Sequence, residues 1–347
     1  MEPTPDGLDL PALATWMSDH VGGVSGPLQA SLIAGGRSNL TYRVTDGTHR
    51  WVVRRPPLGH VVATAHDMGR EFRVMDALAG SPVPVPVTRA LCTDDSVLGA
   101  PFYVMDEVDG RVVRDTAELA AFSPDDAVVV SNELVDVLAR LHSLDPAAVG
   151  LADFGRPDGF LARNLARWGT QWEANRTRDL PQVDELARRL AAALPVSGPA
   201  AVVHGDYRLE NTMLEPAGPR IVAVLDWEMS TLGDPLTDLG LFIVYWQQWG
   251  DGGVLATGGA AGLPGFPPLD AIVARYGTTT GRDLTDLDFY VVFAFYKLAI
   301  ILEGINARFR MGLTLGDGFD RMGEAVTQLL DVALDQADRS SIAALRG

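Results

Sequence analysis

The chain has 347 residues, 47% of them hydrophobic, which is enough for one or two domains around a large core. A formal net charge of −17 argues against non-specific binding to nucleic acid. One cysteine, Cys92, excludes an internal disulfide and a cysteine-based zinc cluster, and the chain starts without a basic and then apolar leader. The apolar stretch 289–302 contains a lysine and is too short to span a membrane, so we expect a cytoplasmic protein with no membrane partner.

The first hundred residues predict an antiparallel sheet with two helices. Apolar spacing predicts helices over 9–21 and 66–78. Short apolar runs between turn residues predict five strands, over 28–34, 42–45, 51–54, 89–93 and 101–107. A glycine-rich turn, Gly35-Gly36-Arg37-Ser38-Asn39, separates the first two strands. Alone it indicates only a hairpin, but at this place in the strand order it is a plausible cover for the phosphates of a nucleotide.

The second predicted helix carries a carboxylate on its apolar face. Glu71 lies three residues after Met68 and four before Met75, so we expect it on the same face of the helix, directed into the core. A carboxylate there needs a cationic partner. The third strand ends in Arg54 and Arg55, which alternation directs to opposite faces. We predict that Arg54 is the partner, with Arg55 as the alternative.

After residue 110 the pattern becomes helical, over 125–142, 158–175, 183–194, 284–309 and 319–337. His142 lies on an apolar helix, and we expect it to be a packed structural histidine. Five arginines between residues 156 and 178 form either a solvated helical face or a binding surface for an anionic group. The Gly/Pro-rich stretch 250–268 is either disordered or a flap.

The stretch from residue 202 to 240 carries the strongest motif. It contains His204-Gly-Asp206-Tyr-Arg208-Leu-Glu-Asn211 and then an apolar run that ends in Asp226. We expect the two apolar runs, 202–203 and 221–225, to be paired strands. The His-x-Asp-x4-Asn spacing matches the protein-kinase catalytic loop, and Asp226 takes the place of the Asp-Phe-Gly aspartate. The sole lysine, Lys297, follows a tyrosine, so a Walker A loop is excluded.

With these residues, the sequence resembles the aminoglycoside phosphotransferase-like (choline-kinase-like) small-molecule kinases, in particular the branch fused to acyl-CoA dehydrogenases in other proteins. The resemblance covers about residues 25–310. It implies an α+β, protein-kinase-like fold, with a small antiparallel-sheet lobe over 1–105 and a larger helical lobe over 106–347. It also implies ATP and Mg²⁺ as cofactors and a small molecule with a hydroxyl group as the acceptor.

The resemblance implies a role for each motif. Asp206 is the catalytic base, Arg208 stands near the γ-phosphate, and Asn211 and Asp226 are magnesium ligands. Arg54 and Glu71 anchor the α- and β-phosphates, and the turn with Gly35, Gly36, Ser38 and Asn39 covers them. Met105-Asp106-Glu107-Val108 resembles the hinge between the lobes, whose backbone groups bind adenine. Asp234 and Asp238 are expected to brace the catalytic loop.

Three questions stay open at this point. The acceptor is a hydroxyacyl-CoA or another anionic metabolite, or else an aminoglycoside or macrolide antibiotic. The arginine that replaces the usual kinase lysine leaves room for a nucleotide-binding pseudokinase, against which the intact Asp206, Asn211 and Asp226 argue. Oligomeric state, monomer or homodimer, and nucleotide preference are not fixed by the sequence.

Overall fold

The computed structural model describes residues 5–33, 39–58, 67–247, 259–312 and 321–347. These residues form two compact units, and neither is one continuous stretch of chain. Unit 1 contains residues 1–111, 212–217 and 221–230, and unit 2 contains residues 112–211, 218–220 and 231–347. The domain division predicted from the sequence, at residue 105, stays a prediction.

Unit 1 is built on a five-stranded antiparallel sheet, as predicted. Its strands are β1 (Gln29–Leu32), β2 (Leu40–Thr45), β3 (Arg50–Arg55), β4 (Thr88–Cys92) and β5 (Phe102–Asp106). Their order in the sheet is β1-β2-β3-β5-β4. Three helices accompany them: α1 (Leu10–His20), α2 (Met68–Leu78) and the short α3 (Asp95–Leu98).

The core of unit 1 comes from the alternating side chains of these strands. Tyr42, Val44 and Val53 are fully buried there and pack in one cluster with Leu13 and Met17 of α1. Helix α2 begins at an aspartate cap, since Asp67 accepts a hydrogen bond from the backbone N–H of Arg70 at 2.9 Å. This cap sets where the helix starts and so where Glu71, in its first turn, lies.

The two apolar runs around the central motif are not paired with each other, so that prediction was wrong. β6 (Ala201–Val203) pairs with β9 (Thr231–Gly233), and β7 (Thr212–Leu214) pairs with β8 (Ile221–Val224). The reason is local: only six residues, 215–220, separate β7 from β8, and they contain Pro and Gly, so this hairpin closes at a small entropic cost. The β7–β8 hairpin belongs to unit 1, where Arg111 bridges to Leu214.

Unit 2 is helical apart from β6 and β9. Its helices are α4 (Thr116–Ala120), α5 (Pro124–Ser143), α6 (Phe160–Asn175), α7 (Pro181–Ala192), α8 (Leu236–Trp246), α9 (Leu269–Thr280), α10 (Leu287–Arg310) and α11 (Met322–Arg339). Five of them follow the predicted spacing. Helix α8 was not predicted because it is apolar on almost every side and so has no amphipathic period.

Helix α8 packs closely on α10. A Cβ built on Gly240 of α8 would lie only 2.5 Å from the backbone carbonyl oxygen of Tyr290, so glycine is required at this crossing. Within the described ranges, no helix combines the length and the apolar character needed to cross a membrane.

Candidate active site

The ion pair predicted between β3 and α2 is present in unit 1. Arg54 Nε lies 3.1 Å from Oε2 of Glu71, whose side chain is 1% exposed. The phenol of Tyr103 and the backbone N–H of Trp227 also hydrogen-bond to Glu71. Burial raises the pKa of Glu71, and the nearby Arg54 guanidinium opposes this rise. Arg55 points the other way, as strand alternation requires, and donates to the carbonyls of Gly7 and Leu98.

Arg54 also holds the carboxylate that follows β8. Its Nη2 lies 2.6 Å from Oδ1 of Asp226 and 3.8 Å from Oε2 of Glu228, and Glu228 in turn accepts from Asn39 Nδ2 at 3.2 Å. One guanidinium thus lies among three carboxylates. Asp226 has φ = 64°, and within the described residues it is the only non-glycine residue in the left-handed region. Aspartate tolerates this conformation better than most side chains, and the turn leaves its carboxylate partly exposed.

The catalytic-loop motif lies in unit 2, and both oxygens of Asp206 have a donor there. The Tyr245 hydroxyl donates to Oδ1 at 2.9 Å, and Asn211 Nδ2 donates to Oδ2 at 3.0 Å. Arg208 Nε lies 3.5 Å from the same Oδ2, and its guanidinium lies over the Tyr245 ring at 4.9 Å. Because Asn211 uses Nδ2 for Asp206, its amide oxygen is the atom left to bind a metal.

A buried aspartate braces this loop from behind, as expected. Asp238 accepts hydrogen bonds from the backbone N–H groups of His204 at 2.6 Å and Gly205 at 2.8 Å. His142 Nε2 lies 3.2 Å from the same carboxylate, and Nδ1 lies 2.8 Å from the Tyr276 hydroxyl. Burial lowers the pKa of His142. For Asp238, burial opposes ionisation, but the hydrogen bonds outweigh it and the pKa falls below its ordinary value. We infer a neutral His142 and an ionised Asp238.

Two residues near Asp206 were given no role by sequence reasoning. Tyr245 is on the apolar helix α8, where no period identified the side chain that reaches the loop. Lys297 is on α10 and donates from Nζ to the carbonyl oxygen of Gly205 at 2.7 Å. Its being the only lysine in the chain was the available signal.

The remaining predicted residues fall into two groups. Gly35, Gly36 and Ser38 lie outside the described residues, as do residues 250–258 of the predicted flap, whereas Asn39 is described. Met105 and Asp106 end β5, and Val108 follows them. Asp106 forms an ion pair with Arg89 at 2.5 Å, so its side chain is engaged and only its backbone would serve a nucleotide.

Three of the five arginines between residues 156 and 178 have acceptors within the described protein, and the choice between a solvated face and an anion-binding surface stays a prediction. Arg163 donates to the carbonyls of Arg156 and Asp158 in its own loop. Arg176 pairs with Glu173, and Arg178 pairs with the buried Glu303 at 3.3 Å. These acceptors lie in the loop before α6, on α6 itself and on α10, and the spacing of the arginines along the chain does not reveal them.

A pocket in unit 2 lies beside the loop. It is a small, partly open pocket, and Arg208, Tyr245, Phe242 and Trp246 are among the residues that line it. The Trp246 indole Nε1 is buried and has no hydrogen-bond partner among the described residues. The pocket is therefore mainly apolar, with a few polar groups at one side.

Comparison with known proteins identifies the family of this chain. The model of the phosphotransferase enzyme family matches residues 29–272, and the chain therefore belongs to this family. Acyl-CoA dehydrogenase family member 11 of Gallus gallus is 33% identical over 331 residues, which are 93% of this chain but 42% of that protein. The chain thus spans less than half the length of this curated relative.

Solved structures give the same fold. A protein of Ralstonia eutropha, provisionally described as an aminoglycoside phosphotransferase, is 35% identical with a TM-score of 0.81, and the match covers 94% of this chain and 98% of that one. Aminoglycoside phosphotransferase APH(4)-Ia, solved with AMP-PNP and hygromycin B, is 15% identical with a TM-score of 0.60 over 95% of this chain and 100% of its own. The α+β kinase-like fold and the branch expected from the motifs are confirmed.

Proposed function

We propose that this protein transfers the γ-phosphoryl group of ATP to a hydroxyl group of a small molecule, with Mg²⁺ as cofactor. The observation that carries the proposal is that both carboxylate oxygens of Asp206 accept hydrogen bonds, one from Tyr245 and one from Asn211. A carboxylate fixed in this way keeps one orientation. A general base needs such a fixed orientation to accept the proton of the acceptor hydroxyl.

The proposed reaction begins with the acceptor hydroxyl on Asp206. A bond forms between the acceptor oxygen and the γ-phosphorus, the bond from the γ-phosphorus to the β,γ-bridging oxygen breaks, and ADP leaves. The hydroxyl proton passes to Asp206. Arg208 lies 3.5 Å from Asp206 and would stabilise charge on the transferred group, since such reactions depend on positioning and electrostatics.

Nucleotide binding is proposed for the unit 1 residues. Arg54, held by Glu71, would bind the α- and β-phosphates, and the turn from Gly35 to Asn39 would cover them. Backbone groups of Met105, Asp106 and Val108 would bind adenine. The donor set fits magnesium, which prefers carboxylate and amide oxygens, and Asp226 and Asn211 would hold it. When bound, the metal neutralises charge on the phosphates.

For the acceptor we propose an anionic metabolite such as a hydroxyacyl-CoA. The name of the Gallus gallus relative supports a substrate related to acyl-CoA, and the mainly apolar pocket beside Arg208 and Tyr245 is consistent with an acyl group. A hydroxylated acceptor in this pocket would lie next to the base.

The test is ATP consumption with pooled acceptors: hydroxyacyl-CoAs, aminoglycosides, macrolides and amino alcohols. The wild-type protein should consume ATP with one pool, and Asp206→Asn should lower this rate roughly 10²–10⁴-fold while still binding ATP. Asp335→Asn on α11, which removes only an exposed ion pair with Arg339, is the matched control. Binding of Mg·ATP without turnover in any pool would favour the pseudokinase instead.

A further inference from the structure

Two cationic side chains in unit 2 lie against one indole ring. The guanidinium carbon of Arg167 is 5.5 Å from the centroid of the buried Trp168 ring, and Lys297 Nζ is 5.7 Å from it. Both distances are within the range of cation–π contact. We call Arg167, Trp168 and Lys297 the indole cluster.

The two cations of the indole cluster have no carboxylate partner. Among the residues that the structure describes, no carboxylate oxygen lies within 4.0 Å of either charged group, whereas Arg176 and Arg178, near the end of the same helix, each have one. Within the described part of the chain, Lys297 donates to the neutral carbonyl of Gly205 alone, and one such bond leaves two of its three N–H groups for a ligand.

The electrostatics of Lys297 are correspondingly unfavourable. Burial lowers the pKa of its amine, and the like charge of Arg167 acts in the same direction. The charges of Asp206 and Asp238 act in the opposite direction and raise the pKa. A half-buried ammonium that is repelled by a guanidinium is stabilised if an anion binds both.

We propose that the indole cluster is an oxyanion subsite, in which Arg167 and Lys297 bind a carboxylate or phosphate group of the acceptor. The assignment to the acceptor rests on the proposed function: Gly205, which Lys297 contacts, directly precedes Asp206, and the residues proposed to bind adenine and the α- and β-phosphates belong to unit 1. The subsite would hold the anionic end of the acceptor while its hydroxyl lies on Asp206.

The alternative is that Lys297 only braces the loop through Gly205. If Lys297 were only a brace, its substitution would lower turnover without affecting anion binding, and substitution of Arg167 would have no effect. Arg167 is exposed, so Arg167→Gln removes its charge with little risk to folding. Arg176→Gln removes one charge near the end of the same helix and is the matched control.

Lys297 allows a binding test that needs no activity, because it is the only lysine. The full chain is treated briefly with an acetylating reagent in chloride, inorganic phosphate or acetate at equal ionic strength, and acetylation of Lys297 is measured by peptide mass spectrometry. Anion binding stabilises the ammonium form, so phosphate, acetate or both should slow labelling several-fold relative to chloride. Protection by phosphate alone assigns a phosphate group, and protection by acetate alone assigns a carboxylate.

The protection should disappear in Arg167→Gln and persist in Arg176→Gln. Equal labelling in all three salts, or protection that does not depend on Arg167, would overturn the proposal. Because this readout does not involve phosphoryl transfer, it stands even if no pool in the ATP assay is turned over.

Kinetics then tests the assignment to the acceptor. Arg167→Gln and Lys297→Met should each raise the KM of an anionic acceptor by roughly ten-fold or more and leave the KM of ATP unchanged. A raised KM for ATP with an unchanged acceptor KM would assign the cluster to the nucleotide and contradict the proposal.

Discussion

The hydroxyl of Tyr245 lies 2.9 Å from Oδ1 of Asp206, so the predicted base is held by a helix 39 residues further along the chain. We expect Tyr245→Phe to lower kcat roughly ten-fold or more, because a hydrogen bond to a charged group contributes about 1.5–3 kcal/mol. The KM of ATP should not change. Asp335→Asn, which removes an exposed ion pair with Arg339 on α11, serves as the control. Equal kcat in wild type and Tyr245→Phe would mean that the bond does not position Asp206.

Arg54 contacts two carboxylates at once, and a lysine cannot copy this geometry. Arg54→Lys keeps the charge but offers one ammonium in place of a planar fork, so it should not bridge Glu71 and Asp226 together. We expect ATP affinity, measured by calorimetry, to fall by about ten-fold. Arg73→Lys, at an exposed arginine on α2 in the same unit, should leave the affinity unchanged.

Asp226 should be tested by substitution with asparagine rather than alanine. Asparagine tolerates the left-handed backbone at φ = 64°, so the variant removes the charge without adding backbone strain. Mg²⁺-dependent ATP binding should be lost in Asp226→Asn and kept in Asp19→Asn, at an exposed position on α1. Unchanged Mg·ATP affinity would remove Asp226 from the proposed metal site.

The pair of His142 and Asp238 predicts acid sensitivity. Both groups have a folded pKa below their ordinary value, so the unfolded chain binds protons more readily than the folded one. The stability they contribute is present above the ordinary pKa and is lost as pH falls, starting below about 6.5 for the histidine, at up to about 1.4 kcal/mol per pH unit and proton. The free energy of unfolding, measured with urea at several pH values between 8 and 5, should fall less steeply with decreasing pH in His142→Gln than in wild type. His20→Gln, at an exposed position, should show the same pH dependence of the free energy of unfolding as wild type.

The crossing of α8 and α10 predicts a packing effect. Gly240→Ala would place a Cβ 2.5 Å from a backbone oxygen, and relief of this contact requires the helices to separate, so we expect a loss of about 1–3 kcal/mol in the free energy of unfolding. Gly198→Ala, whose Cβ would meet no atom within 4 Å, should change the stability by less than about 0.5 kcal/mol. Chemical denaturation of the two variants compares them directly.

The spacing of apolar residues along the chain was enough to predict the strands of the sheet and the ion pair between β3 and α2. The pair Arg54–Glu71 followed from two periodicities, since a strand alternates and a helix repeats about every 3.6 residues. The five strands of the antiparallel sheet followed from apolar runs between turn residues.

Long-range contacts were not visible in the sequence. Helix α8 is apolar on nearly all sides, so no pattern separates Tyr245 from its neighbours. β9, the partner of β6, begins 28 residues after β6 ends, and the nearer strand β8 pairs with β7 instead. Nor does the pattern show that Arg163 donates to loop carbonyls or that Arg178 pairs with a glutamate on α10.

The discontinuity of unit 1 has a consequence for synthesis on the ribosome. Residues 1–111 leave the ribosome first, but the segment that ends at Ser230 follows 119 residues later, after roughly 6–24 s at ordinary translation rates. During that interval Arg54 and Glu71 exist without Asp226, and the nascent sheet lacks its β7–β8 hairpin. A fragment that ends at residue 111 would have the same deficit permanently. The sheet-bearing unit is therefore complete only after much of the helical unit has been made.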